Sequence, residues 1–531
     1  MKSTRYTCLA IVTLLTALLA TPTSRAADDL VINRGSRISI IGNTLADRMQ
    51  HHGWLETNLH ALFPAYEITL RNLGFPGDQL TSRQRSDNFG NADQWLTKTK
   101  ADIIFCFFGY SEALRGEPGL EGFKKDLAGM IDSMRAQKYN GTSAPQLVIF
   151  SPIAHENLES PFLPDGVENN KNLHLYTDAT LEVCEAKGVI GVDLFTPTLA
   201  LFGQVDEPQT MNGIHLLDHG NKALAGIITQ AIFGDAGIVP ANAKPVDKIR
   251  EAVLDKNLHW FSRYRVVDGY NVFGGRSKLN WFGQSNADVM NREMEIFDVL
   301  TANRDQKIWA VAQGADSTVI DDNLPKQLLV KTNKPGKLAE GKHPYLSAED
   351  AMEKMQIAEG MRVNVFASEA MFPEMVNPVQ MAVDTDGRLF VSVWPSYPHW
   401  NPTEPRTDRI VCLPDENRDG VADKCVIFAD QLNSITGFEF WGGGMLVAAP
   451  PEIWFLKDSD GDDKADIKIR VLQGLSSADT HHSANALTIG PDGGLYWSRG
   501  IFNVSSIETP TGLYRSAKSG VYRFDPRTFE M

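Results

Sequence analysis

The sequence predicts a three-layer α/β domain, a helical extension and an all-β C-terminal region, on three observations. Between Arg37 and Phe233 short apolar runs alternate with amphipathic ones. Strands separated by helices imply parallel βαβ units with helices on both faces of one sheet. Pro240–Ser317 carries helical spacing of apolar residues, and from Gly360 onward the chain is short strand-like runs and turns.

At 531 residues and 43% hydrophobic content the chain can bury more than one core. A net charge of −15 excludes nucleic acid as the main partner, because phosphate binding needs clustered Lys and Arg. Met1–Ala26 pairs Lys2 and Arg5 with an apolar run from Leu9 to Ala20 and a small-residue end, Ser24-Arg25-Ala26. This pattern predicts an export signal cleaved after Ala26. No later run reaches the roughly 18 apolar residues of a membrane helix, so an exported, soluble protein (periplasmic or extracellular) is expected. Cys106 and Cys184 sit in core-like runs, whereas Cys412 and Cys425 flank one acidic turn, where a cross-strand disulfide is expected. No CxxC or CxxCH occurs, which excludes a thioredoxin-type site and covalent c-type haem in this chain.

The strands expected in the first domain are Arg37–Ile41, Glu67–Leu70, Ile103–Phe107, Gln146–Phe150 and Val189–Asp193. The helices are Leu45–Leu62, Gly122–Gln137, Asn172–Lys187 and Gly220–Phe233. Ligands of such domains lie outside the carboxyl ends of the strands. The loops there are Gly42-Asn43-Thr44, Asn72 to Asp78, Gly109-Tyr110-Ser111-Glu112, and Ser151 to Asn157. A last loop, Asn212-Gly213-Ile214-His215-Leu216, precedes the final helix.

These blocks, in this order over about 200 residues, resemble the SGNH (GDSL-type) hydrolases, beginning with Gly42-Asn43-Thr44-Leu45 in place of Gly-Asp-Ser-Leu. The resemblance implies a flavodoxin-like three-layer domain with an ester-cleaving site and no cofactor. Thr44 takes the nucleophile position, His215 the base and Asn212 the residue that orients it. Gly77 and Ser111 take the oxyanion positions, and the arrangement implies a hydrogen bond between His215 and Thr44. Only Gly77 and His215 match the family's residue types. Thr44 keeps a hydroxyl but adds a methyl that crowds attack, and Ser111 is a shorter donor than Asn. Asn212 cannot stabilise an imidazolium as a carboxylate would, a loss of about 10⁴ in rate elsewhere. Glu112, Asp218 and Asp78 are candidates for the missing carboxylate. His155, Glu156 and Asn157, past a strand's carboxyl end, are candidates for substrate contact or for capping the next segment.

Helices are expected over Lys248–Val266 and Asp288–Ala312, joined by a Gly/aromatic loop from Asp268 to Ser277. Asp321–Pro344 reads as a linker, and Ser347-Ala348-Glu349-Asp350 as a capping box. Met381–Val393 and Leu487–Trp497 share a strand–Asp-Gly–strand form, with Phe438–Ala449 a looser copy. Intervals of roughly 50 residues predict propeller blades. Two acidic turns recur between them, Asp415, Asn417, Asp419 and Asp423, then Asp458, Asp460, Asp462 and Asp466. Alternating oxygen ligands suit Ca²⁺, but Val426 or Ile469 stands where an EF-hand has Glu, so each turn reads as a calcium site or a solvated acidic turn.

Leu346–Met531, through VNPVQMAVDTDGRLFVSV, the acidic turns and Asp479-Thr480-His481-His482, resembles the propellers of membrane-bound dehydrogenase-like proteins of planctomycetes and verrucomicrobia, related to sugar dehydrogenases. The resemblance implies sugar oxidation, which relatives of that type carry out with a quinone or a fused haem, and makes His481 or His482 a base on a sugar hydroxyl or a structural pair. About three blades are present where closed propellers have 4–8. The expectation is therefore an incomplete propeller, with a missing C-terminal portion or a redox partner supplying the rest. The expected domains are 1–26 signal, 30–235 hydrolase-like, 236–320 helical extension, 321–345 linker and 346–531 partial propeller. Three functions follow: an exported esterase of acylated carbohydrate, a non-catalytic carbohydrate-binding or scaffold protein on the same fold, and a sugar oxidoreductase.

Overall fold

The computed structural model describes residues 30–240, 246–330, 336–480 and 482–531. The signal segment and His481 lie outside them. No described helix is long and apolar enough to cross a membrane.

Five strands form one parallel sheet: β1 (Arg37–Gly42), β2 (Thr69–Asn72), β3 (Ile103–Phe107), β4 (Gln146–Phe150) and β5 (Ile190–Val192), in the order β2-β1-β3-β4-β5. Alternate side chains enter opposite cores, as the strand period requires. Ile38, Ile40, Ile103, Phe105 and Phe107 pack under α1 (Thr44–His52), α2 (Trp54–Leu62) and a late helix at Asp218–Phe233. Ile41, Ile104 and Cys106 face the opposite layer, in which Leu127, Ile131, Tyr176 and Val183 pack. In chain order the remaining helices are α3 (Ala92–Lys98), α4 (Tyr110–Ala113), α5 (Leu120–Arg135), α6 (Val167–Lys187) and α7 (Phe195–Phe202), and the late helix is α8.

Several boundaries differ from expectation, among them the start of α6, five residues before the expected Asn172. The first helix is two, broken where Gly53 adopts φ 73° in the left-handed region. Strand β2 starts two residues later than expected, and α3, α4 and α7 carry too few apolar repeats to register as periodic.

The extension is α9 (Val246–Arg265), α10 (Gly269–Val272) and α11 (Asn286–Ala312), with a two-residue ribbon, β6 (Asn280–Trp281) and β7 (Gln284–Ser285), between the last two. It covers the sheet's edge and satisfies carbonyls an edge strand leaves open. Trp260 Nε1 donates to Asn72 O (2.7 Å), Lys256 Nζ to Leu70 O (3.0 Å), Trp309 Nε1 to Ile68 O (2.7 Å) and Tyr264 Oη to Leu73 O (3.1 Å). Lys256, fully buried, is paired with Glu56 at 2.8 Å.

After α12 (Ala348–Met352), capped by Ser347 as expected, the chain is small antiparallel sheets. β8 (Pro378–Val383), β9 (Leu389–Val393), β10 (Asp408–Leu413) and β11 (Val426–Leu432) form one meander. β12 (Gly437–Trp441), β13 (Gly444–Ala449), β14 (Glu452–Lys457) and β15 (Ile467–Gln473) form a second. In the third sheet β17 (Leu495–Arg499) lies between β16 (Ala484–Ile489) and β20 (Gly520–Phe524), and the hairpin β18 (Ser505–Thr509)–β19 (Gly512–Ser516) leaves it as an excursion.

Cys412 and Cys425 are both free, against expectation. The ladder partner of Cys412 is Val426, so Cys425, one residue away, points to the other face of the sheet. Cys412 accordingly packs in one core and Cys425 against another.

Candidate active site

The site is built at the carboxyl end of β1. Gly42 has φ 149°, and a Cβ there would collide with the carbonyl of Phe107 on the neighbouring strand. Only glycine lets β1 turn directly into α1 this close to β3. Asn43 caps α1: its N–H donates to Phe107 O (3.0 Å) and its side chain accepts from Leu45 N (3.1 Å). Thr44 opens the helix and is 2% exposed. The Gly77 N–H donates to Thr44 Oγ1 at 3.1 Å, joining the expected nucleophile and loop glycine.

Ser111 lies on α4, and its Oγ does not face an empty oxyanion site. It donates at 2.7 Å to Glu508 Oε2 on β18 of the C-terminal region. Thr44 stands beside the same carboxyl, and His215 Nε2 lies 4.0 Å from Glu508 Oε1. Burial pushes the Glu508 carboxyl up to about 7, against the two hydroxyl donors that lower it. Ser111 is 3% exposed, and His215 and Glu508 are each 5% exposed, so the site is closed to solvent. A cavity of about 20 Å³ remains beside Asn43, Tyr110, Ser151, His215 and Glu508, room for about one water.

The orientation of His215 departs from the triad expectation. Asn212 Oδ1 accepts the backbone N–H of His215 (3.0 Å) and of Ile214 (3.3 Å), which turns its amide nitrogen toward the ring. Asn212 Nδ2 lies 3.1 Å from His215 Nδ1. An amide nitrogen only donates, so Nδ1 accepts and the ring proton sits on Nε2. Burial, reinforced by the charge of Arg48, holds His215 well below its ordinary value, so the ring is neutral. His215 Nε2 has no hydrogen-bond partner, so the implied bond to Thr44 is absent. A carboxylate at position 212 would reverse the tautomer and free Nε2 to accept a proton.

None of the three carboxylates proposed as substitutes serves His215. Asp78 pairs with Arg85 (2.7 Å), and Glu112 accepts the N–H groups of Leu80 (2.9 Å) and Gly109 (3.0 Å). Asp218 is held by His52 (3.0 Å) and Arg250 (2.5 Å). The residues past β4 bond to framework. Glu156 accepts from Gln209 N (2.8 Å), Thr210 N (2.7 Å) and Thr210 Oγ1 (2.6 Å), pinning the loop that carries His215. His155 accepts from Asn169 through Nδ1 at 3.0 Å, and Asn157 caps Glu159 N at 2.9 Å. Glu508 was missed because Ile507-Glu508-Thr509-Pro510 has no local pattern that marks a pocket residue.

In the first acidic turn Asp415 and Asn417 accept from the turn's own backbone at Asp419 and Gly420, and Asp423 from Glu416. In the second, Asp466 accepts from Ser459, while oxygens of Asp458, Asp460 and Asp462 lie within 4.8 Å of one another, a donor set of the kind hard cations take. His482 Nδ1 lies 3.2 Å from Asp479 Oδ1.

Residues 40–223 match the model of the GDSL-like Lipase/Acylhydrolase family, and residues 347–531 match one described as Domain of unknown function (DUF7133). The GDSL esterase/lipase CPRD49 of Arabidopsis thaliana is 27% identical over 184 residues, 32% of this chain and 64% of that protein. The match thus spans less than two thirds of this curated relative. A gut microbial diltiazem-metabolizing enzyme is 16% identical over 39% of this chain and 49% of its own, with a TM-score of 0.32. An acetylxylan esterase of Geobacillus stearothermophilus is 14% identical over 40% of this chain and 100% of its own, with a TM-score of 0.30. Residues 40–223 thus form a GDSL-like domain.

Proposed function

We propose that the chain is an exported ester hydrolase of acylated carbohydrate whose site is latent, with Thr44 as nucleophile and His215 as base. The observation that carries this reading is the 3.1 Å approach of the Gly77 N–H to the Thr44 hydroxyl at the carboxyl edge of the sheet. A backbone donor there can meet the oxyanion formed when Thr44 Oγ1 attacks an ester carbonyl. The proton of Thr44 must pass to His215 Nε2, which first requires the Asn212 amide to turn and accept from Nδ1. That turn gives up the bonds from Ile214 and His215 N–H, so turnover is slow.

A second reading, a binding or scaffold domain without catalysis, is favoured by the closed pocket and the Nε2 tautomer. Hydrolysis of an aryl acetate by the purified full chain separates the two. Under the hydrolase reading Thr44→Ala and His215→Ala each abolish turnover, because nucleophile and base act as a unit. Turnover unchanged by either substitution contradicts it.

A further inference from the structure

Three hydroxyl or ring donors converge where an ester's acyl group would lie. Ser111 Oγ donates to Glu508 at 2.7 Å, the Thr44 hydroxyl stands beside the same carboxyl, and the protonated Nε2 of His215 faces Glu508 Oε1 at 4.0 Å. Each donor sits at a position that departs from the family's residues or depends on one that does. Thr44 and Ser111 are hydroxyls, and Asn212 fixes the proton of His215 on the nitrogen nearest Glu508. A carboxyl group, with acceptor oxygens at both ends, matches three inward donors.

The element that brings Glu508 is specialised for reach. Strands β17 and β20 are paired neighbours, and β18–β19 is a separate two-stranded hairpin inserted between them in sequence. Arg515 on β19 clamps the hairpin to the loop after β2, donating to Gly77 O (2.5 Å), Gln79 Oε1 (3.0 Å) and Ser82 Oγ (2.8 Å). Tyr110 Oη donates to Thr509 O (3.1 Å), and Asn169 Nδ2 to Pro510 O (3.2 Å). A side chain on Gly77 would strike Ser506 and Leu513, so the glycine also makes room for the hairpin.

We propose that this pocket is a carboxyl-binding socket whose resident occupant is Glu508, and that a free short-chain carboxylic acid enters it only when the β18–β19 hairpin is withdrawn or its carboxyl removed. The proposal rests on placing Thr44 and Ser111 in the hydrolase pocket, and it stands whether or not Thr44 turns over an ester.

The test uses the full chain and sodium acetate, followed by acetate line broadening and by the acetate dependence of Tm. Glu508→Ala empties the socket, and Arg515→Ala unclamps the hairpin while leaving every donor in place. Acetate should bind both variants at least about tenfold more tightly than wild type. Adding Ser111→Ala to Glu508→Ala should remove the gain. The two variants address each other's failure to fold, since either alone can show the gain. Folded variants that bind acetate no better than wild type overturn the socket. Acetate binding without aryl-acetate turnover in Glu508→Ala upholds the socket and removes the hydrolase reading. Turnover in wild type that Thr44→Ala abolishes, with no gain in acetate binding in Glu508→Ala, overturns the socket and leaves the hydrolase reading standing.

Discussion

Ser111 and Glu508 stand 397 residues apart in sequence, yet the Ser111 hydroxyl donates to the Glu508 carboxyl at 2.7 Å in a site closed to solvent. The contact ties the two halves of the chain together at the pocket itself.

The first prediction concerns the tautomer of His215. Asn212→Asp replaces an amide donor by a carboxylate acceptor facing Nδ1, moving the ring proton there and leaving Nε2 able to take the proton of Thr44. In a chain also carrying Glu508→Ala, aryl-acetate turnover should rise by up to about 10⁴-fold. Imidazole nitrogen shifts should report the change of tautomer independently. A ring that keeps its proton on Nε2 in the Asp variant would refute the assignment.

The pH dependence of docking follows from two buried groups with opposite signs. Glu508 is raised from its ordinary 4.5 to about 7, so the docked hairpin holds a proton the free one releases. This term favours docking fully below 4.5 and is lost as pH rises through about 7. His215 is lowered from 6.5, so it favours docking above 6.5 and opposes it below. Below 6.5 the two oppose each other. Arg48 and Arg515 stay charged, Tyr110 stays neutral, and Glu112 keeps its partners within the N-terminal domain. Exchange protection of the β18 amides, corrected for intrinsic rate, should therefore change little just below 6.5, where the two terms oppose, and fall just above, where only Glu508 titrates. In His215→Gln the fall should begin near 4.5 and total about 3 kcal/mol, at 1.4 kcal/mol per unit.

The fold was legible where a physical rule acts over a few residues. The buried runs at Ile103–Phe107 and Gln146–Phe150 became strands with the expected bounds, and the extension's helices fell within two residues of expectation. Gly53 broke the first helix through its left-handed φ, a break hidden in the sequence because the run around it keeps helical periodicity. At the site, Thr44 and Gly77 were readable from the order of the loops. Glu508 was not, because the distant strand that delivers it carries no motif and its role exists only in the docked fold.

A buried ion pair couples the halves beside the pocket. Asp47 is bound by Arg265 at 2.5 Å and by Gln473 Nε2 of β15 at 3.0 Å, while Arg48 donates to Gln473 Oε1 at 2.6 Å. Arg265→Met strips a buried carboxylate of its charged partner and should cost about 3–5 kcal/mol in urea unfolding. Arg265→Met with Asp47→Asn should recover part of that loss. A loss under 1 kcal/mol would show that Asp47 is not buried against Arg265.

The four described cysteines are free, and Cys412 and Cys425 face different cores. Thiol titration of the unfolded, unreduced protein should count all four in the chain cleaved after Ala26. Reductant should leave Tm unchanged, and a reductant-sensitive Tm would place a disulfide where the strand register forbids one.

The most direct measurement compares aryl-acetate hydrolysis by wild type, Glu508→Ala, and Glu508→Ala with Thr44→Ala. The central claim is that Thr44 sits in a hydrolase pocket that Glu508 keeps closed. It predicts little turnover in wild type, a rise of about tenfold or more in Glu508→Ala, and return to background when Thr44 is also removed. Equal rates in Glu508→Ala with and without Thr44 would contradict it.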